Sequence, residues 1–142
     1  MNLEIAKQIA EKAHAGQRRK NGEDYINHCI RVSNMAAEYS EEAAIVGMLH
    51  DVIEDSDMPV PRLMDYGFSS LIVGAVARLT RGSESYLEYI LSIRDCGWSD
   101  KMGKLIIPTK ICDLMDNLNG ATRTLRDKYT MAYYILTGEM YV

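Results

Sequence analysis

The sequence predicts an all-α fold built as one domain over residues 1–142, on three observations. Glycine and proline number only 10 and 3 in 142 residues, below the roughly 12% of average usage, so long stretches run without a breaker. Apolar residues recur at three- and four-residue intervals, the period of one helical face. No stretch shows the strict apolar and polar alternation of a half-buried strand.

The elements follow in order. From Asn2 to Ala15, Leu3, Ala6, Ile9, Ala10 and Ala13 mark one face, and Gly16 ends the helix. Gln17 to Glu23 is polar and basic and holds an Asn21-Gly22 turn signal, hence a loop. Helix resumes near Asp24 with Ile26, Ile30, Ser33 and Ala37 as its expected buried stripe. Ser40 caps a third helix, with Glu41 and Glu42 at its positive end, running to about Glu54. Pro59 and Pro61 open a short helix that stops at Gly67. Ser69 and Ser70 cap another through Leu71, Ala75, Val76 and Leu79, and Arg81-Gly82-Ser83 breaks it. Tyr86 to Arg94 is helical, and 95–100 is a loop. Lys101 to Leu118 carries Ile107, Ile111, Leu114 and Leu118 on one face, with Pro108 either opening the helix or kinking it. Thr122 to Thr137 is the last helix.

Composition narrows the function classes. With 47% hydrophobic and 25% charged residues, the chain has the balance of a globular protein and enough apolar material for a core. Sixteen basic against 20 acidic residues leave a net charge of −4, which argues against a nucleic-acid partner but leaves room for a small anion at a local basic cluster. Cys29, Cys96 and Cys112 lack a CxxC spacing, so a reducing, cytoplasmic setting is expected rather than a disulfide scaffold or zinc ribbon. The N-terminal residues form no continuous apolar run, so no signal peptide is expected, and apolar stretches along the chain are only a few residues long, so no membrane span is expected.

Four polar residues stand in apolar surroundings: His28, the pair His50-Asp51, and Asp113. Burying such groups is costly unless hydrogen bonds or a metal compensate. His28 and Asp113 from separate helices would complete a mixed imidazole and carboxylate set suited to Mn, Fe, Co, Ni or Zn. One turn beyond His50-Asp51, Glu54 and Asp55 supply carboxylates able to handle protons. Each feature also has a plainer account. A His-Asp pair can be a hydrogen-bonded core group, Glu54 and Asp55 a solvated helix end, Asp113 a partner for Lys110 or Arg123, and Arg18-Arg19-Lys20 a solvated charge cluster.

Three ordered blocks make the pattern specific: His14-Ala15-Gly16-Gln17-Arg18-Arg19-Lys20-Asn21-Gly22-Glu23-Asp24-Tyr25-Ile26-Asn27-His28, Leu49-His50-Asp51-Val52-Ile53-Glu54-Asp55, and Lys110-Ile111-Cys112-Asp113-Leu114-Met115-Asp116-Asn117-Leu118. Together they resemble the hydrolase domain of RelA/SpoT homologues, within the HD-domain metal-dependent phosphohydrolases. The resemblance implies a bundle of short helices in which His28, His50, Asp51 and Asp113 hold one divalent ion, Mn²⁺ in that family. It implies that Glu54 and Asp55 stand beside the activated water, that Arg19 and Lys20 meet substrate phosphates, and that Asn117 helps bind the nucleotide. The implied reaction removes the 3′-pyrophosphate of ppGpp or pppGpp. The sequence departs from the family where Asp24 and Cys29 replace the usual prolines, and Asn119-Gly120-Ala121 looks like a short insertion. Two further functions compete: an HD phosphohydrolase acting on NADPH or a nucleoside monophosphate, and a catalytically silent nucleotide-binding module.

Overall fold

A computed structural model of the chain describes residues 2–141, which form nine helices: α1 (Asn2–Ala13), α2 (Tyr25–Ala36), α3 (Glu41–Leu49), α4 (Val52–Asp55), α5 (Val60–Asp65), α6 (Ser70–Leu79), α7 (Tyr86–Cys96), α8 (Gly103–Leu118) and α9 (Arg123–Thr137). Extended pairing among the described residues is limited to one antiparallel bridge, Arg18 to Asp24, which closes the basic loop into a narrow turn. None of the helices is long and apolar enough to cross a membrane.

The centre of the bundle is α3. Its residues from Ala43 to Leu49 are all buried, as expected of a helix apolar all the way round, and α1, α2, α6 and α8 pack against it. Ser40 caps it by accepting from the Ala43 backbone N–H at 3.0 Å. At Gly47 the α2 backbone comes very close: a β-carbon there would lie 3.2 Å from Ser33 Cα. Glycine therefore permits the approach of α2 to α3, and Ser33 Oγ secures it by donating to the Ala44 carbonyl at 2.8 Å.

Two local expectations are corrected, and one alternative is excluded. The buried face of α2 is His28, Cys29, Val32, Ser33 and Ala36, while Ile26 and Ile30 are half-buried and Ala37 is exposed; α2 turns a mixed polar face inward because it carries part of a site. The third helix does not run unbroken to Glu54. It stops at Leu49 and restarts at Val52, because the His50 ring bonds Gly47 O at 2.6 Å, the acceptor that the Asp51 N–H would use if the helix continued. Pro108 lies inside α8, past its first turn, so it does not open that helix.

Candidate metal centre

The site is assembled where α2, the α3–α4 junction and α8 meet. His28 sits one turn into α2, His50 and Asp51 form the break between α3 and α4, and Asp113 lies on α8. His28, His50 and Asp113 are 1%, 4% and 4% exposed. One potential ligand atom from each of the four residues lies within 4.8 Å of all the others. His28 Nε2 is 3.0 Å from Asp113 Oδ1 and 3.7 Å from Asp51 Oδ2. His50 Nε2 is 2.9 Å from Asp51 Oδ2 and 3.2 Å from Asp113 Oδ1.

Both rings use Nδ1 elsewhere: His28 donates to Asp116 Oδ2 at 2.6 Å and His50 to the Gly47 carbonyl at 2.6 Å. A neutral ring donating from Nδ1 presents a bare lone pair at Nε2. Two such lone pairs then converge with two carboxylate oxygens, an arrangement that repels itself unless a positive charge sits between them. Two nitrogen and two oxygen donors suit a borderline divalent ion. The residues fit a metal.

Without an ion, protons meet the same demand for positive charge, which the carboxylates draw onto the imidazoles. Burial alone would lower His50, but the carboxylates of Asp51 and Asp113 outweigh it and hold the imidazole well above its ordinary value. Burial would raise Asp113, yet Lys110 and His50 keep it well below the usual carboxylate range. Asp51 is likewise held low by His50 against the effect of burial.

Supporting contacts orient the donors. Tyr25 donates to Asp51 Oδ2 at 2.5 Å, Lys110 Nζ to Asp113 Oδ2 at 2.8 Å, and Asn117 Nδ2 to Asp113 Oδ1 at 3.1 Å. Behind His28, Asp116 is gripped by Arg31, whose Nε lies 2.6 Å from Oδ1, and Arg31 also bonds Glu23 at 2.6 Å. Sequence reasoning assigns no role to Tyr25, Arg31 or Asp116, and names Lys110 only as a partner of Asp113, the ion pair that forms at 2.8 Å. A signal for them existed in the three-residue spacing of Tyr25 to His28, Lys110 to Asp113 and Asp113 to Asp116, which puts each pair on one helical face.

A cavity of about 740 Å³ opens in front of the donors, lined by His50, Asp51 and Asp113 and by basic residues on several sides. Glu54 lines it and accepts from the Arg81 backbone N–H at 3.2 Å. Burial, and then the nearby Asp51 charge, push the Glu54 carboxyl above its ordinary value. Asp55 is not among the lining residues; it neighbours Tyr25, and its carbonyl accepts from Gln17 at 2.8 Å. Lys20 lines the cavity as an exposed side chain. Arg19 also reaches it, but its guanidinium is engaged by Glu23 at 3.4 Å, Asp116 at 3.0 Å and Asn117 at 2.7 Å.

Known proteins share parts of this sequence and its fold. A GTP pyrophosphokinase of Streptomyces coelicolor is 28% identical over 130 residues, 89% of this chain but 15% of its own length. A guanosine-3′,5′-bis(diphosphate) 3′-pyrophosphohydrolase of Borreliella burgdorferi is 47% identical over 55 residues, covering 37% of this chain and 8% of that protein. The chain thus spans about 15% of the length of the first of these relatives. Among solved structures, a metazoan orthologue of SpoT described as hydrolysing ppGpp shares the fold with a TM-score of 0.71 at 23% identity, over 98% of this chain and 87% of that one. The profile of the HD domain family matches residues 6–88, more than half of the chain, and with the His50-Asp51 pair at the heart of the site the chain belongs to the HD domain family.

Proposed function

We propose that the chain is a Mn²⁺-dependent phosphohydrolase that removes the 3′-pyrophosphate of ppGpp or pppGpp, giving GDP or GTP and pyrophosphate. The observation that carries this reading is the convergence of His28, His50, Asp51 and Asp113 at one end of a cavity that is large enough for a nucleotide and rich in cations. Similarity to proteins named for ppGpp hydrolysis supports the choice of substrate. The relatives named as pyrophosphokinases are far longer than this chain, which overlaps only 15% of one of them.

In this reading His28, His50, Asp51 and Asp113 hold one divalent ion, which when bound lowers the pKa of a water and polarises a phosphoryl oxygen. Glu54, at the cavity wall and oriented by the Arg81 N–H, accepts the proton of the attacking water. Its burial favours uptake of that proton. Asp55 assists from beside Tyr25, which fixes Asp51. Lys20 meets substrate phosphate. Arg19 and Asn117, bonded to each other, shape the wall against which the nucleotide lies. Residues 1–142 act as one HD-type domain on a small phosphorylated nucleotide in the cytoplasm, without nucleic acid or membrane as partner.

The test is to incubate Mn²⁺-loaded chain with ppGpp, NADPH and nucleoside monophosphates and identify the products by mass. GDP and intact pyrophosphate from ppGpp are expected. Hydrolysis of NADPH or a monophosphate with ppGpp untouched would replace the substrate, and no turnover of any of them would favour a silent binding module.

A further inference from the structure

The cavity wall on the α7 and α9 side carries a cluster whose aromatic ring and free cationic side chains have no part in holding the ion or the water. Tyr86, the first residue of α7, is surrounded by three cations from three elements. Lys128 of α9 places Nζ 4.1 Å from the ring centroid, Arg81 of the α6–α7 loop places Cζ at 5.7 Å, and Lys110 of α8 places Nζ at 5.9 Å. All four residues line the cavity. Lys110 is balanced by Asp113 at 2.8 Å, but neither Arg81 nor Lys128 enters an ion pair among the described residues.

The Tyr86 hydroxyl is buried and has no hydrogen-bond partner, a state rare in folded proteins and one that calls for an acceptor. Burial pushes this phenol up to about 12, so it remains a donor. Lys128 is shifted the other way, below the ordinary lysine value, first by burial and then by the positive charges of Arg81 and Lys110. Arg81 and Lys128, neither paired to a carboxylate, stand beside an unpaired hydroxyl donor and are complementary to an anion with several acceptor oxygens. The aromatic face orients the ammonium groups without neutralising them.

We propose that Arg81, Lys110, Lys128 and Tyr86 form a second anion subsite, which takes a phosphate group of the substrate other than the one at the metal centre. The inference rests on the phosphorylated-nucleotide reading of the cavity. Lys110 links the two positions, since the same ammonium group touches a metal-centre carboxylate and faces the rings of Tyr86 and Tyr89. The phosphate has two possible sources, the outer phosphate of the scissile 3′-diphosphate or the phosphates at the 5′ end of the nucleoside. Either way the subsite favours substrates with more than one phosphate over monophosphates.

The experiment measures the affinity of the Mn²⁺-loaded chain for pyrophosphate, GDP and guanosine by calorimetry, in wild type, Lys128→Ala, Arg81→Ala and the double variant. Arg81→Ala keeps the backbone N–H that holds Glu54. The dissociation constant of at least one phosphate probe should rise ten-fold or more in Lys128→Ala and further in the double variant, with guanosine unchanged. Loss confined to pyrophosphate assigns the subsite to the scissile diphosphate; loss confined to GDP assigns it to the 5′ phosphates. Tyr86→Phe, which removes only the hydroxyl, should weaken the same probe and serves as the check if an alanine variant fails to fold. Changes below two-fold for both probes in a folded double variant, or equal weakening of guanosine, would overturn the proposal. Because binding is read without turnover, the result stands apart from whether wild type hydrolyses ppGpp.

Discussion

His28 and Asp116 are joined by a 2.6 Å hydrogen bond from Nδ1 to Oδ2, although 88 residues separate them. Burial would raise the Asp116 carboxyl, but the His28 bond and the Arg31 guanidinium outweigh it and hold the group well below its usual range. An ionised acceptor keeps the His28 proton on Nδ1, which turns Nε2 toward Asp51 and Asp113. Asp116→Asn should therefore weaken metal binding by roughly 10- to 100-fold, as loss of such orienting partners does. Metal competition titrations on a variant with unchanged circular dichroism check this; wild-type affinity would remove Asp116 from the centre's support.

Glu54 and Asp51 should separate cleanly. Glu54→Gln should retain its metal and fold yet turn over ppGpp roughly 10²-fold or more slowly, because size is kept while proton acceptance is lost. Asp51→Asn should lose metal. Metal content and rate measured on both variants decide it, and one shared phenotype would refute the division of roles.

Binding of about one divalent ion per chain should stabilise the fold, since the ion relieves the clustered lone pairs only in the folded state. At a free concentration 100 times the dissociation constant the gain is about 2.7 kcal/mol. Thermal melts should show Tm falling on chelation and recovering with Mn²⁺ more than with Mg²⁺, because imidazole donors disfavour Mg²⁺. A melt indifferent to chelator would count against the centre.

Without metal, Glu54 should titrate above 4.5, because burial and the Asp51 charge disfavour its ionised form. Below 4.5 both folded and unfolded chains hold the proton. As pH rises from there through the folded-state value, the unfolded chain releases it first, so the Glu54 contribution to stability declines across that window. A divalent ion should pull the titration down. Carboxyl-carbon NMR with and without Mn²⁺ measures both effects, and a metal-free midpoint at or below 4.5 would contradict them.

Gly47→Ala should push α2 away from α3, since the new β-carbon meets Ser33 backbone at 3.2 Å. A loss of about 1–3 kcal/mol is expected, together with weaker metal binding, because His28 and His50 face one another across this contact at 5.2 Å between ring centroids. Urea unfolding and metal titration of the variant test the pair of effects.

Sequence periodicity alone determined that the chain is helical, where most helices begin and end, and which residues are chemically out of place in apolar surroundings. The caps at Ser40 and Ser69 were legible because capping is a contact over a few residues. The family resemblance added which of the misplaced residues belong together, since three ordered blocks name a set of side chains without showing how they meet. Only the tertiary structure decided the rest. The break at His50-Asp51, the Nδ1 partners of the two histidines, the engagement of Arg19 by Asp116 and Asn117, and the separation of Glu54 at the cavity from Asp55 beside Tyr25 all depend on contacts between helices. The physical reason is range: helical period reports which face of one segment is apolar, whereas a hydrogen bond between residues 26, 88 or 98 positions apart exists only once packing has placed the helices. The cations around Tyr86 belong to the same class, because Arg81, Lys110 and Lys128 come from a loop and two helices and become one anion-complementary surface only in the folded chain.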